Sequence, residues 1–182
     1  EGATKSAEIV LQSHLSLAGA SGKVGLMYYA GDWYQPLYDA ASSHIVKQSH
    51  VRLDSVVLNE YICLLTAKKL GINVAENSII NVGEGNDDDV LFASKRYDRE
   101  IIRDRFVGKI NKMARLHQED FSQALGISAM MKYEQTGDKY FVKMVDVIRK
   151  YSANPIEDIL NLWDITIFNY LIGNTDNHIK NH

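Results

Sequence analysis

Cysteine, proline and long apolar runs are all scarce in this chain of 182 residues. A single cysteine, Cys63, excludes a disulfide framework within the chain and suits the cytoplasm. No stretch reaches the about 18 apolar residues of a membrane-spanning helix, so no membrane partner is expected. The first residues, Glu1 to Ala7, lack the apolar segment of a signal peptide, and there is no initiator methionine. Together with the end at His182, this gives the expectation of a piece of a longer protein. A strong charge of one sign is missing too. The net charge of −3 leaves no electrostatic footprint for nucleic acid, and direct nucleic-acid binding is not expected. Proline stands only at positions 36 and 155, and no repeat or low-complexity tract interrupts the pattern. What is present is an ordinary globular composition, 46% hydrophobic and 24% charged, enough for one domain or two small lobes.

The N-terminal half carries strand signals. Lys23 to Tyr29 reads as a strand, Ala30-Gly31-Asp32 as a hairpin turn before Trp33-Tyr34, and Ser43 to Lys47 as a short apolar strand. From Asp54 to Leu70 the period becomes helical, with Leu58, Tyr61, Ile62, Leu65 and Leu70 on one face and Gly71 as the stop. Two further strands, Ile79 to Val82 and Val90 to Lys95, flank a charged turn from Gly83 to Asp89. That turn lacks the ligand spacing of a calcium loop and reads as a solvated hairpin tip. After about Asp98 the signals turn helical: Gln118 to Leu125, Tyr140 to Tyr151, and a helix starting at Asn154. There Asn154 is the predicted N-cap, Pro155 the first helical residue and Glu157 the capping-box partner. Ile159, Trp163, Ile167 and Leu171 form its predicted apolar stripe. The fold class expected is α+β: a β-rich lobe over 1–98 and a helical lobe over 99–182, with the change falling near 98–115.

The last of these helices delivers the chain into Asn174-Thr-Asp-Asn-His-Ile-Lys-Asn181. Phosphoryl transfer to a hydroxyl needs a carboxylate to orient it and take its proton, an oxygen ligand for Mg²⁺, and a cation near the phosphate. Asp176, Asn181 and Lys180 offer these three functions, and the five-residue step from Asp176 to Asn181 equals that of the protein-kinase catalytic loop. The His-Arg pair usual before that aspartate is absent. His178 and His182 at i and i+4 would suit a metal on a helix, but the loop-forming residues around them disfavour one. Ser16 to Lys23 is small and Gly-rich without Walker A spacing. It fits either a tight hairpin or a loop that approaches phosphate. Lys47 ends a strand, either as an edge residue or as a phosphate ligand. Glu60, on the helix that follows, either pairs with Lys47 or stands solvated.

The order of these features is the kinase order, and their blocks resemble the HipA family, the kinase toxins of bacterial HipA/HipB-type toxin–antitoxin modules. The blocks are Ser16 to Leu26, Ser43 to Lys47, Asn59 to Gly71, Lys95 to Arg99, Leu116 to Asp120 and Ile172 to Asn181. The resemblance implies a two-lobed, protein-kinase-like fold, present here as the N-lobe and the first helices of the C-lobe. It implies ATP and Mg²⁺ as cofactors and serine or threonine of a protein target as acceptor, in some members an aminoacyl-tRNA synthetase. A small helix-turn-helix antitoxin is the implied partner. By the same resemblance Gly19, Ala20, Ser21, Gly22 and Lys23 cover the ATP phosphates and Lys47 holds them. Lys95 to Asp98 forms the hinge, with Tyr97 against adenine and Asp98 near the ribose. Asp176 is the base, Asn181 holds Mg²⁺, and His178 and Lys180 line the site. Two departures stand out: Ala18 occupies the position of the serine that is autophosphorylated in regulated members, and no second metal-binding aspartate follows Asn181 in this sequence. A noncatalytic scaffold that binds the antitoxin and a small-molecule kinase are the alternative readings.

Overall fold

The computed structural model describes residues 22–49, 54–84, 86, 89–102 and 112–182. These fall into two compact units. The first runs to Leu116 apart from 67–73, and the second holds Ala67–Asn73 and His117–His182.

The first unit is built on a five-stranded antiparallel sheet of β1 (Lys23–Tyr29), β2 (Asp32–Tyr34), β3 (His44–Gln48), β4 (Asn77–Asn81) and β5 (Val90–Lys95), in the order β2-β1-β3-β5-β4. The β1–β2 hairpin turns on Ala30 and Gly31, both with positive φ, the backbone form that matches the twist of paired strands. Alternation then sorts the side chains. Val24, Leu26, Trp33, Val46, Leu91 and Ala93 cluster on one face. Val90 and Phe92 point the other way and meet Val57 of helix α1 (Val56–Lys69), joined there by Leu58, Tyr61 and Leu64. Because β5 is covered on both faces, four consecutive residues, Val90 to Ala93, are buried. Helix α1 therefore buries Val57, whereas Ile62, Leu65 and the later Leu70, expected on the same inner face, are exposed. The helix is apolar nearly all round, so periodicity alone does not choose its face; contact with β5 does.

A strand pair, β6 (Arg99–Ile102) with β7 (Lys112–Arg115), groups with this sheet unit although the signals past Asp98 read as helical. Arg115 anchors it by donating to the carbonyls of Asp39 and Ala40.

The second unit packs α2 (Phe121–Ala124), α3 (Tyr140–Tyr151) and α4 (Pro155–Leu171) around Tyr140, Met144, Val145, Ile148, Leu162 and Ile179. Pro155 opens α4 as expected, but the Asn154 side chain makes no capping bond. Ser152 takes over by accepting from the Asn154 N–H and donating to Asp158. The buried positions of α4 are Leu162 and Phe168, with Ile159 and Ile165 packed beside them. Of the expected stripe, Trp163, Ile167 and Leu171 are exposed, although the Trp163 ring meets Phe141 of α3 with centroids 4.6 Å apart. None of the described helices is long and apolar enough to cross a membrane.

Candidate active site

The loop after α4 begins with a strict helix stop. Gly173 has φ +69°, its N–H donates to the Tyr170 carbonyl, and the Asn174 N–H reaches the Asn169 carbonyl. This pair of bonds closes the helix C-terminus and turns the chain sharply. Side-chain amides then brace the turn. Asn174 accepts from the Asp176 N–H and donates to Asn169 Oδ1, while Asn169 Nδ2 donates to Asn177 Oδ1. Sequence content explains this, since short amides bond readily to nearby backbone and so hold a loop without a helix.

The result brings Asp176, His178 and Asn181 together. Asn181 Nδ2 donates to the Asp176 backbone carbonyl, and the Asn181 N–H to that of His178, within a short 3₁₀ turn, Ile179–Asn181. The Asp176 side chain is 70% exposed, and its Oδ1 accepts a 2.8 Å bond from the Tyr133 hydroxyl. His178 Nε2 stands 3.6 Å from the same oxygen, too long for a hydrogen bond. The His178 ring is buried against Tyr133, edge to face with centroids 5.1 Å apart, and its Nδ1 has no partner among the described residues. A cavity of about 120 Å³ lies beside it, lined in part by Tyr140, Thr166, Asn177 and His182.

Lys180 points elsewhere. Its ammonium lies 2.7 Å from Asp120 Oδ2, a carboxylate that also caps α2 through the Gln123 N–H in a full capping box. Burial pushes the Asp120 carboxyl up, but the Lys180 hydrogen bond, the Gln123 amide and the Lys180 charge outweigh it. The group therefore sits below the usual aspartate range.

In the sheet unit, Lys47 Nζ meets Glu60 Oε1 at 2.6 Å and lies 5.6 Å from the centre of the Phe92 ring. This settles the choice left open for Glu60 in favour of the pair. Lys23 and Lys47 are directly opposite in the β1–β3 register, so two cations share one face of the sheet. Like charges opposite one another are unfavourable unless an anion joins them, and Glu60 supplies only one. The pair thus suits a polyanion such as a nucleotide phosphate chain.

The expected hinge is more occupied. Lys95 pairs with Glu76 at 2.8 Å, and the Tyr97 side chain is exposed. Asp98 accepts from Arg96 Nε and Nη2 and from Arg99 Nη1, while Arg99 Nε donates to the Ser42 carbonyl. The Arg96 hydrogen bonds, working against burial and helped by the charges of both arginines, hold Asp98 below the usual carboxylate range. Gly22 precedes β1 and its carbonyl accepts from Gln48. Gly19, Ala20 and Ser21, with Ser16 and Ala18, lie outside the described residues. Two residues that touch the site went unassigned in the sequence. Asp120 was findable, since Asp120-x-x-Gln123 before an apolar residue is a capping pattern. Tyr133 had no such signal.

A family model described as HipA-like C-terminal domain matches residues 15–182. The chain belongs to this HipA-like family. The resemblance read from the six sequence blocks is thereby borne out. The HipA-like chain is 36% identical over 167 residues to a Sinorhizobium fredii protein named "Putative kinase Y4mE", covering 92% of the chain and 37% of that protein. It is 32% identical over 178 residues to the serine/threonine-protein kinase toxin HipA of Shewanella oneidensis, covering 92% of the chain and 39% of the toxin. A solved complex of Shewanella oneidensis HipA, HipB and operator DNA contains a chain that matches with a TM-score of 0.72 and 31% identity, over 92% of this chain and 39% of that one. The HipA-like chain therefore spans between 37% and 39% of the length of these relatives.

Proposed function

We propose that this chain carries the phosphate-binding sheet and catalytic loop of an ATP- and Mg²⁺-dependent protein serine/threonine kinase with a two-lobed, kinase-like fold. The observation that carries the reading is the tie between Asn181 and Asp176. The Asn181 amide donates to the backbone carbonyl of Asp176, whose carboxylate is exposed, so the two residues are tied at the spacing phosphoryl transfer uses. The Lys23–Lys47–Glu60 arrangement supports it from the other unit.

In this reading Asp176 orients the serine or threonine hydroxyl and accepts its proton as the oxygen attacks the γ-phosphorus and ADP leaves. Lys47 and Lys23 hold the nucleotide phosphates. Asn181 fits Mg²⁺, because its Nδ2 is bonded inward and its remaining ligand atom is a hard oxygen that would hold the ion. Bound there, the metal supplies charge neutralisation at the transferring phosphate. Lys180 reaches the phosphate only by leaving Asp120. We propose Tyr97 and Asp98 as the adenine and ribose contacts, with Lys95 beside them, and His178 as a wall of the site.

The activity is proposed for a protein of the relatives' length. A toxin role, a helix-turn-helix antitoxin as partner, a cytoplasmic location and a protein acceptor of the aminoacyl-tRNA synthetase class complete the proposal. The named HipA–HipB complex supports the antitoxin. Phosphate incorporation by the full-length protein tests the reading. Asp176→Asn is expected to lose about 10²–10⁴-fold in rate, and equal incorporation by both forms removes Asp176 from the role of base. The Lys180–Asp120 pair favours one second reading, a noncatalytic scaffold. Absence of Mg²⁺·ATP binding by the full-length protein selects it.

A further inference from the structure

We propose that Tyr133 is a positioning residue for Asp176, holding one carboxylate oxygen so that the other faces the acceptor hydroxyl. This rests on the reading above, in which Asp176 is the base.

Asp176 stands on a loop with its side chain 70% exposed. Its backbone is braced by Asn174 and Asn181, but backbone bonds leave the χ angles of an exposed aspartate free. Among the described residues, the Tyr133 hydroxyl is the group that donates a hydrogen bond to this carboxylate, at 2.8 Å to Oδ1. A neutral donor on an ionised acceptor makes a strong bond. It occupies Oδ1 and leaves Oδ2, so the carboxylate is fixed in rotation while one oxygen stays open to a substrate. Rate depends steeply on such placement, because a base held in a near-attack geometry has already lost the freedom it must lose to react.

The phenol can do this only if it is itself held, and it is held from three sides. Its ring meets the buried His178 ring edge to face, with an interplanar angle of 83°. Lys132 Nζ lies 4.9 Å from the centre of the Tyr133 ring. The flanking backbone is fixed at both ends. The Ile179 N–H donates to the Lys132 carbonyl, the Tyr140 hydroxyl to the Met131 carbonyl, and Glu134 accepts from the Tyr140 N–H. Tyr140 is buried in the helical core, so the core of α3 and α4 is mechanically connected to the Asp176 carboxylate through Tyr133. His178 gains a function here as well. It touches the phenol ring and so supports the positioning group, while its own nitrogen lies too far from Asp176 to bond it.

The test is steady-state kinetics of the full-length protein as wild type, Tyr133→Phe and Asp176→Asn. Phenylalanine keeps the ring against His178 and removes only the donor. A hydrogen bond to a charged group is worth enough to expect a kcat loss of about 10–100-fold, with KM for ATP within about twofold and the melting temperature nearly unchanged. Wild-type kcat in Tyr133→Phe, with Asp176→Asn inactive, overturns the proposal and leaves the kinase reading standing. A raised kcat also overturns it, since the phenol would then be competing with the acceptor. A loss appearing in KM for ATP or in stability, with kcat kept, marks a structural role instead. Equal activity of wild type and Asp176→Asn removes the base assignment itself, and the proposal with it.

Discussion

Asp120 and Lys180, sixty positions apart, form one ion pair at 2.7 Å, and the same carboxylate caps helix α2. The loop after α4 is thereby fastened to the start of the helical unit, alongside the bond from the Phe121 N–H to the His182 carbonyl. Removing Asp120 has two separable effects.

Asp120→Ala loses both the cap and the ion pair, and the cap alone is worth about 1 kcal/mol. Asp120→Asn keeps an acceptor for the Gln123 N–H and loses the charge, so it is expected to cost less. Urea unfolding of both variants, with Lys180→Met as the partner in a double-mutant cycle, measures the difference. Additivity of Asp120→Asn and Lys180→Met shows that the pair contributes no coupling.

The pH dependence follows from the direction of the Asp120 shift. Its folded-state pKa is depressed, so its stabilisation is fully present above the unfolded aspartate value of about 3.9. That stabilisation is lost as pH falls through the lower folded value. The stability gap between wild type and Asp120→Asn should hold from neutral pH to about pH 5 and close progressively below about pH 4. Asp98, depressed by Arg96 and Arg99, contributes the same trend to both proteins and cancels in the comparison. Denaturant midpoints taken from pH 7 downward give the curve.

Lys47 faces Lys23 in the β1–β3 register and pairs with Glu60. Lys47→Met in the full-length protein should weaken Mg²⁺·ATP binding by about tenfold or more, the scale of a lost charge-assisted contact. Glu60→Gln should change it less, because the phosphate-binding cation remains. Titration calorimetry distinguishes these outcomes, and unchanged affinity in Lys47→Met rules out a phosphate contact.

Phe92 is fully buried between α1 and the sheet, so Phe92→Ala should cost about 3–5 kcal/mol. Ile62, which the helical period alone places inward, is exposed, and Ile62→Ala should stay within about 0.5 kcal/mol. A large loss at Ile62 in urea unfolding would reverse the facing of α1 described above.

Local signals served this sequence well where they were redundant. The Ala30-Gly31 turn fixed the first hairpin, Pro155 fixed the start of α4, and Gly173 fixed its stop. The Asp-x₄-Asn spacing marked the loop, while Lys47 with Glu60 was one of two readings that the order of the residues left open. Signals failed where two faces of one element are equally apolar. In α1 and α4 the buried side is chosen by a partner element, β5 and α3 respectively, which no window confined to the helix contains. The β6–β7 pair was missed because its short, charge-rich strands show little alternation. Tyr133 was missed because a phenol forty-three residues from Asp176 acquires its role only through the fold.

The bond from Asn181 Nδ2 to the Asp176 carbonyl also decides what chemistry position 181 tolerates. An asparagine amide has one donating and one accepting end, and here the donating end is committed inward. Aspartate, which looks the better magnesium ligand, has no donor and would set a negative oxygen against a carbonyl oxygen. The position demands a group with a donor to close the loop, and the amide keeps its oxygen free of that bond. Because its partner is a backbone carbonyl, asparagine at 181 closes this loop whatever side chain stands at 176.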